Sequence, residues 1–402
     1  MNRGRLGLSV MAGLMAATAA TAQQRFDFTS EVDRPGWRKV APDTAYTGAI
    51  GYGFERDGGE RALFSVAVPE GDYRVTVWPA SSAPVTVWAE TRRLMRQVTD
   101  APARFTVNVR QPGLDPVPVN APGGAAVRLN AREDGSRSWD DRLTLGFDGP
   151  VARIEIEPVT ATRLILMGNS TVADQAGGDY ASWGQMLPRF LDDGVSVANH
   201  AESGETLKSF LTGLRLDKAL SQVRPGDVVL IQFGHNDSKV QWPQTYAEAG
   251  TTFRAYLRVY IDEVRRRGGQ PVLVTSPHRR TFGADGRITN SHGDYPVAVR
   301  AEAAEQDVAV IDLTAISGRL YEALGPELST RAFADQGRDP THHSRYGADL
   351  LAWAVADGLR EILTDEAYVR PGIDRLDPDR PPRPDTTEPG PPDRAVERPR
   401  GS

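Results

Sequence analysis

The chain contains no cysteine. That absence excludes a thiol nucleophile, a disulfide framework and Cys-ligated zinc together. It also suits an oxidising compartment, where a free thiol is a liability. Past the N-terminus there is no apolar run of the ~20 residues that a membrane-spanning helix needs, so no membrane partner is expected. Nor is there an excess of positive charge. The formal net charge is -6, whereas phosphate binding needs a basic face, so no nucleic acid partner is expected. A local basic cleft remains compatible with that total. What is present is a 402-residue chain with 40% hydrophobic and 25% charged residues. This composition is ordinary for a soluble globular protein and can fill sizeable cores. At ~100–200 residues per domain, the length implies two domains with tails.

The chain opens on "MNRGRLGLSVMAGLMAATAATAQQ". Arg3 and Arg5 form a positive leader, Leu6 to Ala17 is apolar, and Ala20-Thr21-Ala22 fits a small-x-small cleavage site. We expect a signal peptide over residues 1–22, removal near Gln23, and export to the periplasm or the exterior. A membrane anchor is the alternative, but the continuously apolar part is short for one. At the other end, residues 369–402 are rich in Pro, Asp and Arg and carry almost no large apolar side chains. Such a segment buries too little surface to offset chain entropy, and disorder is expected.

Residues 24–158 alternate apolar and polar positions in "ALFSVAV", "YRVTVWP", "PVTVWAE", "RFTVNV", "LTLGF" and "VARIEIEP". A period of two marks half-buried strands, and Gly and Pro punctuate them. A β-sandwich domain is expected. Its aromatics Trp37, Tyr46, Tyr52 and Trp78 are either carbohydrate-stacking surfaces or core. After the connector "PVTATR" the texture changes. "RLILMG", "VSVANHA", "DVVLIQFG", "QPVLVTSP" and "VAVIDL" are short apolar runs separated by helical patterns such as "TFRAYLRVYIDEVRRRG". Strands alternating with helices make βαβ units, hence a parallel sheet covered on both faces. Residues 163–366 are therefore expected to form a flavodoxin-like, three-layer α/β/α domain. In such sheets the chemistry lies beyond the carboxyl ends of the strands.

The segments at those ends carry polar clusters. Gly168-Asn169-Ser170-Thr171 follows the first apolar run, Asn199-His200-Ala201-Glu202-Ser203-Gly204 the second, and Gly234-His235-Asn236-Asp237 the third. Asp339-Pro340-Thr341-His342 precedes the last long helical pattern. Acyl transfer needs a hydroxyl, a base, a carboxylate that orients the base, and donors for the oxyanion. Ser170 supplies the hydroxyl, His342 the base and Asp339 the carboxylate. The N–H groups of Ser170 and Gly204 and the amide of Asn236 are the oxyanion donors. Taken singly, Ser170 reads as a helix N-cap, Gly204 as a turn glycine and Asn236 as a turn residue. Their joint order is what favours the catalytic reading. The adjacent pair His342-His343 is a poor metal site, because neighbouring side chains rarely converge on one ion. No metal and no cofactor are expected.

From Arg163 to Leu363 the chain resembles the SGNH (GDSL-type) hydrolases, and within them the rhamnogalacturonan acetylesterases. The likeness rests on Ser170 in "GNST", Gly204 in "NHAESGETLKSF", Asn236 in "FGHND", His342 in "DPTH", and His292 in "HGDYP". One position departs from the pattern: Asn169 stands where the family's first block has Asp. The resemblance implies a serine esterase that removes acetyl groups from the rhamnogalacturonan backbone of pectin through an acyl-enzyme. It also implies an acetylated polysaccharide as partner. Arg279 and Arg280, in "PHRRTFG", could pair with galacturonate carboxylates, and His292 is a further candidate substrate contact. A different acetylated glycan, a small ester, or glycan binding without turnover are the alternatives. Oligomeric state is not legible.

Overall fold

Alternation of apolar and polar residues builds the N-terminal half as expected. The structure, a computed structural model, describes residues 22–29, 33–55, 62–117, 124–363 and 368–384. The expected signal peptide lies outside the described residues except for Ala22. The strands are β1 (Gln24–Asp27), β2 (Arg38–Lys39), β3 (Tyr52–Glu55), β4 (Ala62–Ala67), β5 (Gly71–Pro79), β6 (Val85–Ala89), β7 (Arg93–Val98), β8 (Ala103–Val109), β9 (Arg142–Asp148) and β10 (Val151–Val159). They form two five-stranded sheets, ordered β2-β1-β10-β5-β8 and β3-β4-β9-β6-β7. Pairing is antiparallel apart from β1 with β2. Phe26, Val75 and Ile154 of the first sheet share one core with Phe64, Val87 and Leu145 of the second.

Strand β7 carries no alternating signal because both its faces are covered. Arg93 to Arg96 are all buried. Met95 joins the core between the two sheets, whereas Leu94 joins the core of the following region. Of the aromatics considered as stacking surfaces, Trp37 and Trp78 pack edge to face at 5.7 Å. Arg153 lies over both of these rings. Tyr52 packs on Phe26 at 5.1 Å, and Tyr46 lies under Arg142.

The second half is a parallel sheet. Its strands β11 (Thr162–Gly168), β12 (Val195–Asn199), β13 (Val228–Gln232), β14 (Gln270–Val274) and β15 (Ala309–Ile311) run in the order β12-β11-β13-β14-β15. The strand direction of progress reverses at β11, and that switch opens a crevice at the carboxyl edge. The helices are α1 (Trp183–Met186), α2 (Leu207–Thr212), α3 (Arg215–Gln222), α4 (Arg254–Arg266), α5 (Tyr295–Glu305), α6 (Leu313–Leu328) and α7 (Arg345–Ile362). Because successive strand residues point to opposite faces, β11 feeds two cores. Leu164 and Leu166 pack with Leu320, Leu351 and Val355 of α6 and α7. Ile165 and Met167 pack with Leu216, Leu257, Val264 and Val299 of α3, α4 and α5. This is the expected three-layer arrangement.

The connector before β11 does not separate two independent bodies. Trp88 and Leu94 belong to the same core as α1 and α7. Asp72 accepts from Arg163 Nε, Ser196 Oγ and Asn108 Nδ2, each at 2.8 Å. Arg96 donates to the carbonyls of Pro188 and Leu191 at 2.9 and 3.0 Å.

The expectation of disorder over residues 369–402 needs correction for its first half. Val369 is buried, and Ile373 and Leu376 pack on the core beside α7. Trp353 Nε1 donates to Asp374 O at 2.7 Å, Leu376 N to Asp357 Oδ2 at 2.6 Å, and Tyr346 Oη to Pro382 O at 2.6 Å. Three widely spaced apolar residues suffice here because helix side chains satisfy the segment's backbone. Proline also lowers the entropy lost on ordering. Residues 385–402 lie outside the described residues.

Candidate active site

The carboxyl end of β11 turns sharply. Val172 N and Ala173 N both donate to Asn169 O at 2.9 Å, and Asn169 Oδ1 accepts from Thr171 N at 3.3 Å and Thr171 Oγ1 at 3.1 Å. Asn169, not Ser170, is thus the residue whose side chain closes the turn. The helix-cap reading of Ser170 is corrected at the same time. The next helix starts only at Trp183, capped by Ser182, which accepts from Gln185 N at 3.1 Å. Ser170 directs its hydroxyl elsewhere: Oγ lies 2.9 Å from His342 Nε2.

The loop before α7 holds that histidine. Asp339 Oδ1 accepts from Thr341 N at 2.9 Å and His342 N at 3.0 Å, and Oδ2 accepts from His342 Nδ1 at 3.0 Å. Ser344 then caps α7. Ser170, Asp339 and His342 are all buried. Burial works to raise the Asp339 carboxyl. The hydrogen bond from His342, its charge and the two backbone N–H groups outweigh burial and hold the carboxyl down at about 2. An ionised Asp339 fixes the Nδ1–H tautomer and leaves Nε2 with a lone pair facing the serine. His343 faces away and meets Tyr321 Oη at 2.8 Å. Among the described residues no group of three His, Cys, Asp or Glu side chains converges as a metal cage would.

The three expected oxyanion donors come from the loops after β11, β12 and β13. Gly204 has φ +86°, a region that glycine adopts without a steric penalty. Among the described residues, nothing accepts from the N–H of Ser170 or Gly204. Asn236 Nδ2 gives one proton to Glu205 O at 3.1 Å and keeps the other. Asp237 braces this residue by accepting from Gly234 N at 2.8 Å and Leu207 N at 2.9 Å. Burial pushes the Asp237 carboxyl up to about 6 against those donors.

The expected substrate contacts divide. Arg280 does not face the site. Its N–H donates to Pro340 O at 2.8 Å, Nη2 to Gly337 O at 2.9 Å and Nη1 to Pro326 O at 3.2 Å. It therefore clasps the loop that carries Asp339, a role in which carbonyls absorb the guanidinium. Arg279 Nη1 donates to Ser291 O at 2.8 Å and His292 Nδ1 at 3.3 Å. His292 is buried, gives Nε2–H to Pro277 O at 2.8 Å, and sets its ring against His235 at 4.3 Å. Burial first, and the charge of Arg279 second, push the His292 imidazole down to about 3. It is a neutral strut between Arg279 and the Asn236 loop, not an exposed substrate contact.

Two supports were not legible in the sequence. Gln175 Nε2 donates to Ser170 O at 2.6 Å. Arg132, from the N-terminal half, donates Nε to Glu202 Oε1 and Nη2 to Ser203 Oγ, both at 2.7 Å. That contact spans the junction and holds the strand-to-turn segment leading into Gly204. No motif surrounds Arg132, so only the fold could reveal it.

A parallel sheet with a buried Ser-His-Asp relay at its switch point is an arrangement suited to ester hydrolysis. Residues 166–350 match the family model described as GDSL-like lipase/acylhydrolase, and the chain belongs to that family of carboxylic ester hydrolases. Among its relatives is rhamnogalacturonan acetylesterase RhgT of Bacillus subtilis (strain 168). It is 40% identical over 53% of this chain and 97% of the relative. The probable rhamnogalacturonan acetylesterase YesY of the same organism is 35% identical over 50% of this chain and 94% of the relative. The uncharacterized esterase YxiM, also of Bacillus subtilis (strain 168), is 26% identical over 84% of this chain and 90% of the relative, so this match extends into the N-terminal half.

Proposed function

We propose that the protein is a serine acetylesterase that removes acetyl groups from pectic rhamnogalacturonan. The observation that carries the catalytic part is the unbroken relay Ser170 Oγ, His342, Asp339, with steps of 2.9 and 3.0 Å. His342 Nε2 takes the serine proton as Oγ attacks the acetyl carbonyl. The oxyanion is held by the N–H groups of Ser170 and Gly204 and by the second amide proton of Asn236. His342 then protonates the departing sugar hydroxyl, leaving an acetyl-serine. Water, deprotonated by the same imidazole, releases acetate and regenerates the hydroxyl. The names of the two relatives above 30% identity support the pectic substrate. In this reading the two N-terminal sheets form a β-sandwich that buttresses the site through Arg132. Residues 1–22 direct export, and among the described residues no helix is long and apolar enough to cross a membrane.

The test is acetate release from acetylated rhamnogalacturonan and acetylated xylan by the wild type and by Ser170→Ala. Release from the pectic polymer that is lost in the variant is the expected result. Faster release from xylan would move the substrate to another glycan. Binding of either polymer by folded wild-type protein without acetate release would replace the enzyme by a glycan-binding protein.

A further inference from the structure

The two halves enclose a small charged cavity where they meet. Arg110, Glu133, Ser136 and Trp139 line it from the N-terminal half, Asp174 from the segment after β11 and Glu202 from the segment after β12. Its volume is ≈ 20 Å³. Each of its three carboxylates has an arginine of its own. Arg93 Nε donates to Asp174 Oδ2 and Arg132 Nε to Glu202 Oε1, both at 2.7 Å, and Arg215 Nη2 donates to Glu133 Oε2. Asp174 Oδ1 also accepts from Asn199 Nδ2 at 2.9 Å, and Glu133 Oε1 from Trp139 Nε1 at 2.9 Å.

Arg110, just past the end of β8, is left over from this pairing. It is only 3% exposed, and among the described residues no carboxylate pairs with it and nothing accepts from its Nε or Nη1. Its guanidinium lies 4.6 Å from the Trp139 ring centroid, which offsets part of the cost of burial. Burial first, and the charge of Arg93 second, push the guanidinium down to about 9 against Asp174, Glu90 and Glu133. It therefore stays charged at neutral pH. Ser136 Oγ, on the same cavity, is also buried without a partner among the described residues. A guanidinium offers donors and no acceptor. A water satisfies such a donor but leaves the buried charge uncompensated, whereas an anion answers both needs.

We propose that this cavity is a binding site for one small monovalent anion of halide size, held by Arg110 and Ser136. The volume fits a single ion and lies far below the ~300–1,000 Å³ of a pocket for an organic ligand. The three carboxylates oppose the anion, but each is already engaged by its own arginine. The ion thereby becomes part of the junction. It ties the end of β8 to the segments that lead from Ser170 and toward Gly204. The site does not depend on which ester the protein hydrolyses.

The experiment measures the melting temperature at constant ionic strength while sodium gluconate is replaced by sodium chloride, bromide or acetate. For the wild type, chloride and bromide should each raise it by about 2–4 °C, along a saturating single-site curve. Arg110→Met keeps an apolar stem against Trp139 and should abolish the response. Ser136→Ala keeps the charge and should raise the chloride midpoint by about fivefold, the loss of one hydrogen bond. Equal melting temperatures of the wild type in gluconate and chloride overturn the site. So does a halide response of full size in Arg110→Met, which would mark a general salt effect. Protection by acetate without protection by halides would give the cavity to carboxylates and overturn the halide. If Arg110→Met does not fold, anomalous scattering from wild-type crystals grown in bromide decides: a bromide peak between Arg110 and Ser136 is expected, and its absence rejects the site.

Discussion

At the scale of single residues, the proposed mechanism turns on which nitrogen of His342 carries the proton. Asp339 accepts from Nδ1 and from two backbone N–H groups, so removing its charge also removes the preference for the productive tautomer. Asp339→Asn should lower kcat by about 10⁴-fold with little change in KM, read from steady-state rates on p-nitrophenyl acetate. The sign of the pH effect follows from the depressed carboxyl. A group whose folded pKa lies below its unfolded value stabilises the fold above that unfolded value, near 3.8, and loses this contribution as pH falls toward about 2. Asp339 therefore contributes no titration above about pH 4. Asn236→Ala should cost roughly 10²–10³ in kcat, the range for one oxyanion donor. Asn169→Asp should retain activity. The turn uses the Oδ1 acceptor, and Asn169 Nδ2 makes no hydrogen bond among the described residues. Complete loss of activity in a folded Asn169→Asp protein would reject this view.

At the scale of elements, two arginines act on loops without meeting the reacting atoms. Arg132 spans from the N-terminal half to Glu202 and Ser203, just before Gly204. Burial, followed by the neighbouring Glu133, pushes the Glu202 carboxyl up to about 7, and the charge of Arg132 opposes that shift. Arg132→Ala should lower kcat on a small ester by about tenfold while leaving KM nearly unchanged, as expected for loss of an interaction that matters only in the transition state. Arg132→Lys should recover little, because an ammonium cannot reproduce the two directed contacts of the guanidinium. A variant with full kcat would remove Arg132 from the account. Arg280 clasps the carbonyls of Pro326, Gly337 and Pro340. Arg280→Ala should therefore reduce kcat equally on small ester and polymer. A rise in KM confined to the polymer would restore Arg280 to the substrate.

At the scale of the whole molecule, the two halves are expected to unfold as one. Asp72 of β5 joins Arg163 and Ser196 across the junction at 2.8 Å each. Its side chain is almost fully buried, and that of Arg163 is only 12% exposed. Removing one partner of a buried ion pair costs ~3–5 kcal/mol because the other charge is left behind. Asp72→Ala should lower the melting temperature of the single transition seen by calorimetry. Two separate transitions in the wild type would show that the halves are independent after all.

The sequence by itself determined the alternation of strand and helix, the two-period pattern of the N-terminal strands and the four polar blocks. These are local properties: side-chain period and turn chemistry are set by residues within a few positions of one another. It also placed the candidates Ser170, Gly204, Asn236, Asp339 and His342, each at the edge of a recognisable run, and the proposed site is built from them. The tertiary structure alone decided what depended on distant contacts. It turned Arg280 inward to carbonyls of α6 and of the loop beyond it, 46 to 60 residues away, and it brought Arg132 to Ser203 across 71 positions. It covered both faces of β7 and so erased the alternation that would have marked it. It also seated residues 369–384 on α7, where neighbouring side chains offset what the segment's own composition lacks. In each case the partner lies in another element, and no local pattern encodes which partner the fold will supply.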